Sequence, residues 1–361
     1  MHDAISPLHS ANLSFAELLK QPAQWRNSVL GAFCFSADVV ENQMQADISI
    51  PCMHVAMQRL DAGDSVCEVW HGSGKVTHGQ SGAIYYRHDD EVLLGVLALP
   101  EIMLAADTEK TPLQQATESA YCQIFSLLAT LRYPYLFRCW NYMADINTHS
   151  FGLERYRQFN LGRQDAFLAH GRDVMENVPA ACALGFGQTG SVQELLPTLH
   201  IAFLAGRAAP LNIENPRQIS AYQYPQQYGP RSPTFSRASL VRMGQNEVLF
   251  ISGTASIVGH VTLHLGDVVA QTRETMANIK AVLAEANRLT NWSKFDLASL
   301  YYTVYVRHPV DLAQIRTELT HCVGNALKAV YLQADMCRQD LLLEIEATAM
   351  HPLEPLSGRG S

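Results

Sequence analysis

A repeated order of elements constrains this chain more than any other feature. In its second part, residues 247–256 (EVLFISGTAS) read as a strand that ends in a turn of small residues. Gly266 and Asp267 then open a helix whose apolar stripe, Ile279, Val282, Leu283 and Ala286, has helical spacing. Residues 300–306 (LYYTVYV) are a dense β-branched and aromatic run, the pattern of a buried strand. Residues 312–331 read as a second helix followed by a short connection, and 341–349 (LLLEIEATA) alternate as a final strand. The order strand, helix, strand, helix, strand places helices on one face of a sheet. The first part runs through the same order. Thr117, Ile124 and Leu128 match Thr272, Ile279 and Leu283 at one constant offset, and both sets lie on a predicted helix. Hairpin-like strands over 83–99 precede that helix, residues 138–146 parallel 300–307, and a helix spans about 154–176. The apolar run 180–186 then stands opposite the final strand. The expected fold is α+β, with two duplicated domains, each a mixed sheet with helices on one face.

Between the two parts the pattern breaks. Pro210, Pro216, Pro225, Pro230 and Pro233 forbid a continuous helix or a central strand. A plain linker would be poor in aromatics, but this stretch carries Tyr222, Tyr224, Tyr228 and Phe235. It is expected to be a loop folded over a site. The chain therefore divides into a first domain over 1–206, a Pro/Tyr/Arg-rich loop over 207–240 and a second domain over 241–361.

Composition narrows the function classes. With 361 residues there is length for two cores, and the terminal residues 357–361 read as a loose end. The formal net charge of -8, with no Lys/Arg run, argues against a nucleic-acid footprint but leaves a small anionic ligand open. Eight cysteines are scattered without a CxxC pair and are expected as free thiols in a reducing compartment. No signal peptide is read at the start, and no apolar run reaches the ~20 residues of a membrane span. The expectation is a cytoplasmic protein. Walker A, HExxH and GxSxG patterns are absent from the sequence and no Rossmann βαβ unit is read, so a nucleotide cofactor, a metal and a serine nucleophile find no support. His260 with His264, and His71 with His78, read as structural.

Glu344 leads the candidates for chemistry. Alternation puts it on the same strand face as Glu346, opposite Leu343 and Ile345. Were the other half to line that face, burial would raise the carboxyl pKa as a general acid requires. In the segment YRQFNLGR, Tyr156 and Arg163 are seven apart and share a helical face, and a guanidinium there can clamp a carboxylate. Arg231 and Arg237 flank a proline-stiffened stretch of the loop, where Tyr224 and Tyr228 can stack on a ring. Gly253, in SGTAS, admits close approach to the backbone.

Residues 248–350 resemble the YjgF/RidA superfamily through SGTASI, NIKAVL, YYTVYV and EIEATA. RidA enzymes carry an arginine in a Pro-Ala-Arg-Ser-like segment. Here that region reads QADMCR, which weakens an imine deaminase reading. ERYRQFNLGR, the Tyr/Pro/Arg loop, SGTASIVGH and CRQDLLLEIE together resemble the chorismatases, which fuse two YjgF-like halves and use no cofactor. The resemblance implies cleavage of chorismate, with Glu344 as general acid and Arg163, Tyr156, Tyr224 and Arg231 holding the substrate. Gly253 and Cys337 match the hydroxybenzoate-forming branches, whose products are 3-hydroxybenzoate and/or 4-hydroxybenzoate for aryl-polyene pigment and ubiquinone synthesis. It leaves a monomer or a homotrimer open. The rival class is a non-catalytic YjgF-like module that binds a small acid.

Overall fold

The computed structural model describes residues 9–37, 50–63, 65–72, 75–102, 109–175, 177–187, 196–243, 246–290, 292 and 294–353. The tail at 357–361, and parts of the loops at 73–74 and 291–293, lie outside them.

Three sheets share one interior. The first is four-stranded: β1 (His9–Leu13), β2 (Val29–Ser36), β3 (Cys52–Ala56) and β4 (Ser65–His71), in the order β1-β4-β2-β3. Short helices α1 (Phe15–Lys20) and α2 (Ala23–Arg26) lie between β1 and β2. The second sheet has six strands: β5 (Thr77–Ser81), β6 (Ile84–His88), β7 (Val92–Pro100), β8 (Tyr135–Ala144), β9 (Ala180–Phe186) and β10 (Thr198–Gly206). Helices α3 (Pro112–Leu131) and α4 (Arg155–Ala169) connect β7 to β8 and β8 to β9. The third sheet comprises β11 (Leu211–Ile213), β12 (Ala238–Met243), β13 (Asn246–Thr254), β14 (Tyr301–Val306), β15 (Lys328–Gln333) and β16 (Leu343–Pro352). Its helices are α5 (Val268–Leu289) and α6 (Leu312–Val323).

The duplication is explicit in strand order. The second sheet runs β9-β8-β10-β7-β6-β5 and the third β15-β14-β16-β13-β12-β11, each with one parallel pair at the helix-connected edge. Thr117 and Thr272 occupy equivalent helix positions, each donating its hydroxyl to the carbonyl four residues earlier at 2.7 Å. Caps match as well: Thr111 accepts from the Gln114 amide, and Asp267 from the Ala270 amide. The predicted stripe of Ile279, Val282, Leu283 and Ala286 is buried.

The strand order also corrects the reading of the repeat. Each half has strands that were not expected, among them Lys328–Gln333 and Thr198–Gly206. Residues 180–186 therefore correspond to Lys328–Gln333, and the counterpart of the final strand is β10. Lys328–Gln333 was hidden because its half-buried edge position lacks a continuous apolar run. The first-half helix ends at Ala169.

Residues 9–71 form a sheet of their own. Its inner face supplies Phe33, Phe35, Val66 and Trp70 to the core shared by all three sheets. The Trp70 ring lies 5.9 Å from Trp140 of the second sheet and 5.9 Å from Phe250 of the third. Its outer face packs Val29, Ala32, Cys52 and Val69 against Leu18 of α1. Cys34 and Cys67 stand directly opposite on antiparallel β2 and β4 and are joined as a disulfide. The expectation of free thiols fails for this pair, because cross-strand register is not written in cysteine spacing. The remaining six cysteines are free. Among the described residues, no helix is long and apolar enough to cross a membrane.

One core shared by three sheets should unfold as a unit. Trp70→Ala removes the ring that touches the other two sheets and should cost about 3–5 kcal/mol. Urea unfolding followed by near-UV and far-UV circular dichroism should show one coincident transition at a lower midpoint. Separate transitions would contradict a shared core.

Candidate active site

The site forms where the two halves meet. Edge strand β9 docks on the third sheet through serine side chains: the Ala180 and Ala181 amides donate to Ser239 Oγ (3.0 Å) and Ser252 Oγ (2.9 Å). Beside this junction, β13 bulges. Ile251 pairs with Ala347 and Thr254 with Ile345, so one extra residue is inserted around Ser252 and Gly253. The expected small-residue turn is thus a bulge inside a continuing strand. It turns Gly253 toward Glu344 on β16. A Cβ built on Gly253 would overlap Glu344 Oε1, lie 2.7 Å from its Cδ and 3.3 Å from Cys182 Cβ. Glycine is what lets the carboxyl sit there.

Glu344 is 4% exposed, and Tyr156 and Arg157 of the first half line the same cleft. Burial, reinforced by the neighbouring Glu346 carboxylate and opposed by Arg138 and Arg237, raises its carboxyl pKa to about 8. The group therefore holds a proton at neutral pH and can give it to a substrate.

A cleft of about 550 Å³ opens over Glu344. Tyr156 and Arg157 come from the first turn of α4, and Glu154 precedes them. Arg157 Nε donates to Glu154 at 3.1 Å. The buried Arg155 bridges Glu101 through two bonds (2.6 and 2.9 Å) and donates to the Ala144 carbonyl, which anchors the helix start. Burial also holds the Tyr156 phenol well above its ordinary range.

Residues of the proline-rich loop line part of the cleft. Tyr224, Tyr228, Pro233, Phe235 and Arg237 reach the lining. Arg237 donates to Tyr224 Oη and to the Ile219 carbonyl, both at 2.9 Å. Arg338 lies 4.1 Å over the Tyr228 ring and 5.3 Å from that of Tyr224. The result is a wall of alternating guanidinium and phenol groups. Arg237 Nε and Arg338 Nη2 are buried donors without a partner among the described residues. Such donors suit the carboxylates of a small anionic ligand.

Cys337 and Arg338 sit on the connection before β16, and Arg307 pins that connection. It bonds Asp335 Oδ1 (2.5 Å) and the carbonyls of Arg338 (2.9 Å) and Leu341 (2.7 Å). Asn147 of the first half adds a bond to the Met336 carbonyl at 3.0 Å. Burial raises the Cys337 thiol to about 12, so it lines the cleft uncharged.

Of the residues singled out from sequence, Glu344, Tyr156, Tyr224, Gly253 and Cys337 all line this cleft. Arg163 and Arg231 do not. Arg163 is two turns along α4 from Tyr156, about 10 Å at 1.5 Å per residue. Its guanidinium is buried among the rings of Tyr121, Phe159 and Phe167. Sharing a helical face with Tyr156 did not bring it to the same pocket. Arg231 is exposed outside the lining, and Arg237, at the other end of the proline stretch, takes the inner position. Arg157 and Arg338 were not singled out as ligands. A cation one residue beyond Tyr156 and another directly after Cys337 were the available signals. His260 bonds Tyr228 Oη through Nδ1 at 3.1 Å, and His264 lies 3.4 Å from Glu274.

Comparison with known proteins fits this geometry. A chorismatase from Streptomyces rapamycinicus is 37% identical over 290 residues, covering 78% of this chain and 82% of the relative. The chain belongs to the chorismatase family. A 3-hydroxybenzoate synthase from Streptomyces hygroscopicus is 37% identical over 294 residues, covering 78% of this chain and 81% of its own length. The family model described as chorismatase FkbO/Hyg5-like, N-terminal, matches residues 68–205. A crystal structure of a chorismatase superposes with a TM-score of 0.79 at 30% identity, covering 95% of this chain and 98% of that one. The chorismatase fold thus extends over the three sheets, including the strands before residue 68.

The guanidinium wall makes a binding prediction that needs no turnover. Arg237→Met and Arg338→Met should each weaken binding of an aromatic dicarboxylate such as isophthalate by about 10- to 100-fold, the range for a lost bond to a charged group. Calorimetric titration measures it. Unchanged affinity in both variants would place the anion site elsewhere.

Proposed function

We propose that this chorismatase-family protein cleaves chorismate to pyruvate and a hydroxybenzoate, with Glu344 as the general acid. The observation that carries this reading is a buried carboxyl, its pKa raised to about 8, in a cleft that is also lined by arginines with unpartnered donors among the described residues. Chorismate has two carboxylates, one on the ring and one on the enolpyruvyl side chain. Arg237 and Arg338 provide two cations on one wall, and Arg157 a third at the helix start. Holding both carboxylates fixes the enol ether over Glu344. Arg163 and Arg231 lie outside the lining and are given no direct contact with substrate.

Glu344 protonates the methylene carbon of the enolpyruvyl group and leaves an oxocarbenium ion. The ring hydroxyl then displaces the ether oxygen from the ring, and the bonding pair leaves with that oxygen to complete pyruvate. One carbon–oxygen bond of the resulting arene oxide opens as a ring proton is lost, which aromatises the product and restores the proton on Glu344. Atoms balance without water: chorismate equals pyruvate plus hydroxybenzoate. Water attacking the oxocarbenium carbon would instead give pyruvate and a dihydroxycyclohexadiene carboxylate. The buried surroundings of Glu344, with Gly253 and the uncharged Cys337 beside the reacting centre, favour the internal path. The similarity to a 3-hydroxybenzoate synthase supports the same outcome. A hydroxybenzoate product would suit aryl-polyene pigment and ubiquinone routes.

The test is to mix the protein with chorismate and resolve the organic acids by chromatography. Pyruvate with 3- or 4-hydroxybenzoate is expected. A non-aromatic dihydroxy acid would assign the hydrolytic branch, and no pyruvate would overturn the reading. Glu344→Gln keeps the shape but cannot give a proton, so kcat should fall about 10²–10⁴-fold while isophthalate still binds. Because the acid works protonated, kcat/KM should hold below its pKa and fall as pH rises through about 8. Gly253→Ala should lower kcat and change the product ratio, because the added methyl displaces the Glu344 carboxyl. A wild-type product ratio and rate in Gly253→Ala would remove Gly253 from the proposed specificity set.

A further inference from the structure

A second group of charges lies under Glu344, away from the cleft. Glu346 is two residues along β16 on the same inner face, about 7 Å away at the rise of a strand. It is ion-paired with Arg138 of β8 and accepts from Tyr305 Oη at 2.9 Å. Tyr305 Oη lies 3.2 Å from Tyr142 Oη, and Arg138 also donates to the Ile251 carbonyl at 3.1 Å. Both halves therefore fix the position of this carboxylate. Glu346 and Arg138 do not line the substrate cleft. They close the inner end of a separate cavity of about 500 Å³, whose walls include Glu68, Trp140, Tyr301 and Lys328.

We propose that the Arg138–Glu346–Tyr305 assembly is a positioning device for the acid: it fixes one anion beside Glu344 and so keeps the proton on Glu344. One guanidinium faces Glu346, Glu344 and Glu68, and its ion pair is with Glu346. A second buried anion on the same strand face would have no ion pair, because Arg138 is taken by Glu346 and Arg237 donates to Tyr224 and the Ile219 carbonyl. Glu344 therefore takes the proton. The other groups facing Glu344 leave this logic intact. Cys182 of β9, Cys337 of the connection and Tyr156 of α4 are held uncharged by burial. Arg237, from the loop side, is the cation that opposes Glu346 there. Glu68 of β4 is likewise pushed up to about 8 by burial and by Glu346. Glu346 acts on the reaction through Glu344 and without touching the substrate.

This inference rests on the chorismate reading, and the experiment separates the two. Pyruvate release is measured against pH for the wild type, Glu346→Gln and Glu346→Asp. In Glu346→Gln the alkaline limb of kcat/KM should move to lower pH by about one unit or more. Turnover at about pH 6, where the acid is still protonated, should fall far less than turnover at about pH 8. Glu346→Asp keeps the charge and should restore the wild-type limb. Because Glu346→Gln leaves Arg138 buried without its partner, Arg138→Gln/Glu346→Gln serves as the second variant, and its limb should also lie below that of the wild type. An unshifted limb in a folded, active Glu346→Gln protein, or in the double variant, overturns the proposal while leaving the chorismate reading standing. Absence of pyruvate with the wild type overturns the chorismate reading itself.

Discussion

Burying the inner face of the third sheet against the other two is the constraint from which the site follows. That face carries Glu344 and Glu346, and closing the core takes both carboxyls out of water. An ionised carboxylate survives there only with a cation and hydrogen bonds. Arg138 and Tyr305 meet that demand at Glu346. At Glu344 the demand is avoided by keeping the proton. An acid ready to act at neutral pH thus arises from ordinary burial energetics. Within the sheet the Gly253 bulge leaves room for the carboxyl, and the closure sets Cys182 of β9 beside that bulge.

The duplicated halves have diverged around a common frame. Strand order, helix caps and the two buried threonines are shared, yet the acidic pair Glu344 and Glu346 comes from the second half alone. The counterpart of β16 is β10, and its sequence TLHIAFLAG contains no carboxylate. In exchange, the first half contributes Arg138, the helix start with Tyr156 and Arg157, and Asn147 against the connection that carries Cys337 and Arg338. The cleft over Glu344 is thus built from non-equivalent surfaces of the two halves.

Much of this was legible in the chain. The strand alternation in LLLEIEATA put Glu344 on the face of Glu346, and the helical stripe and the repeat offset gave the two-half architecture. Tyr224, Tyr228 and Phe235 of the proline-rich loop line the cleft. What failed were inferences that needed distance along an axis or register across strands. Arg163 shares a helical face with Tyr156 but ends two turns away in the apolar core between helix and sheet. Arg231 and Arg237 flank the same stretch, and the inward direction of one guanidinium depends on where Tyr224 and Ile219 fall.

The sequence by itself determined the periodicities, the repeat, the strand face on which Glu344 lies and the family resemblance, because these are local or nearly local patterns. Tertiary structure decided which charges become neighbours. The Arg138–Glu346 pair joins residues 208 positions apart. Cys34 and Cys67 meet only through antiparallel register, and residues 9–71 become a third wall only when Trp70 packs against the other two sheets. Burial and pairing energies depend on these long-range contacts, so the proton on Glu344 is a property of the closed molecule.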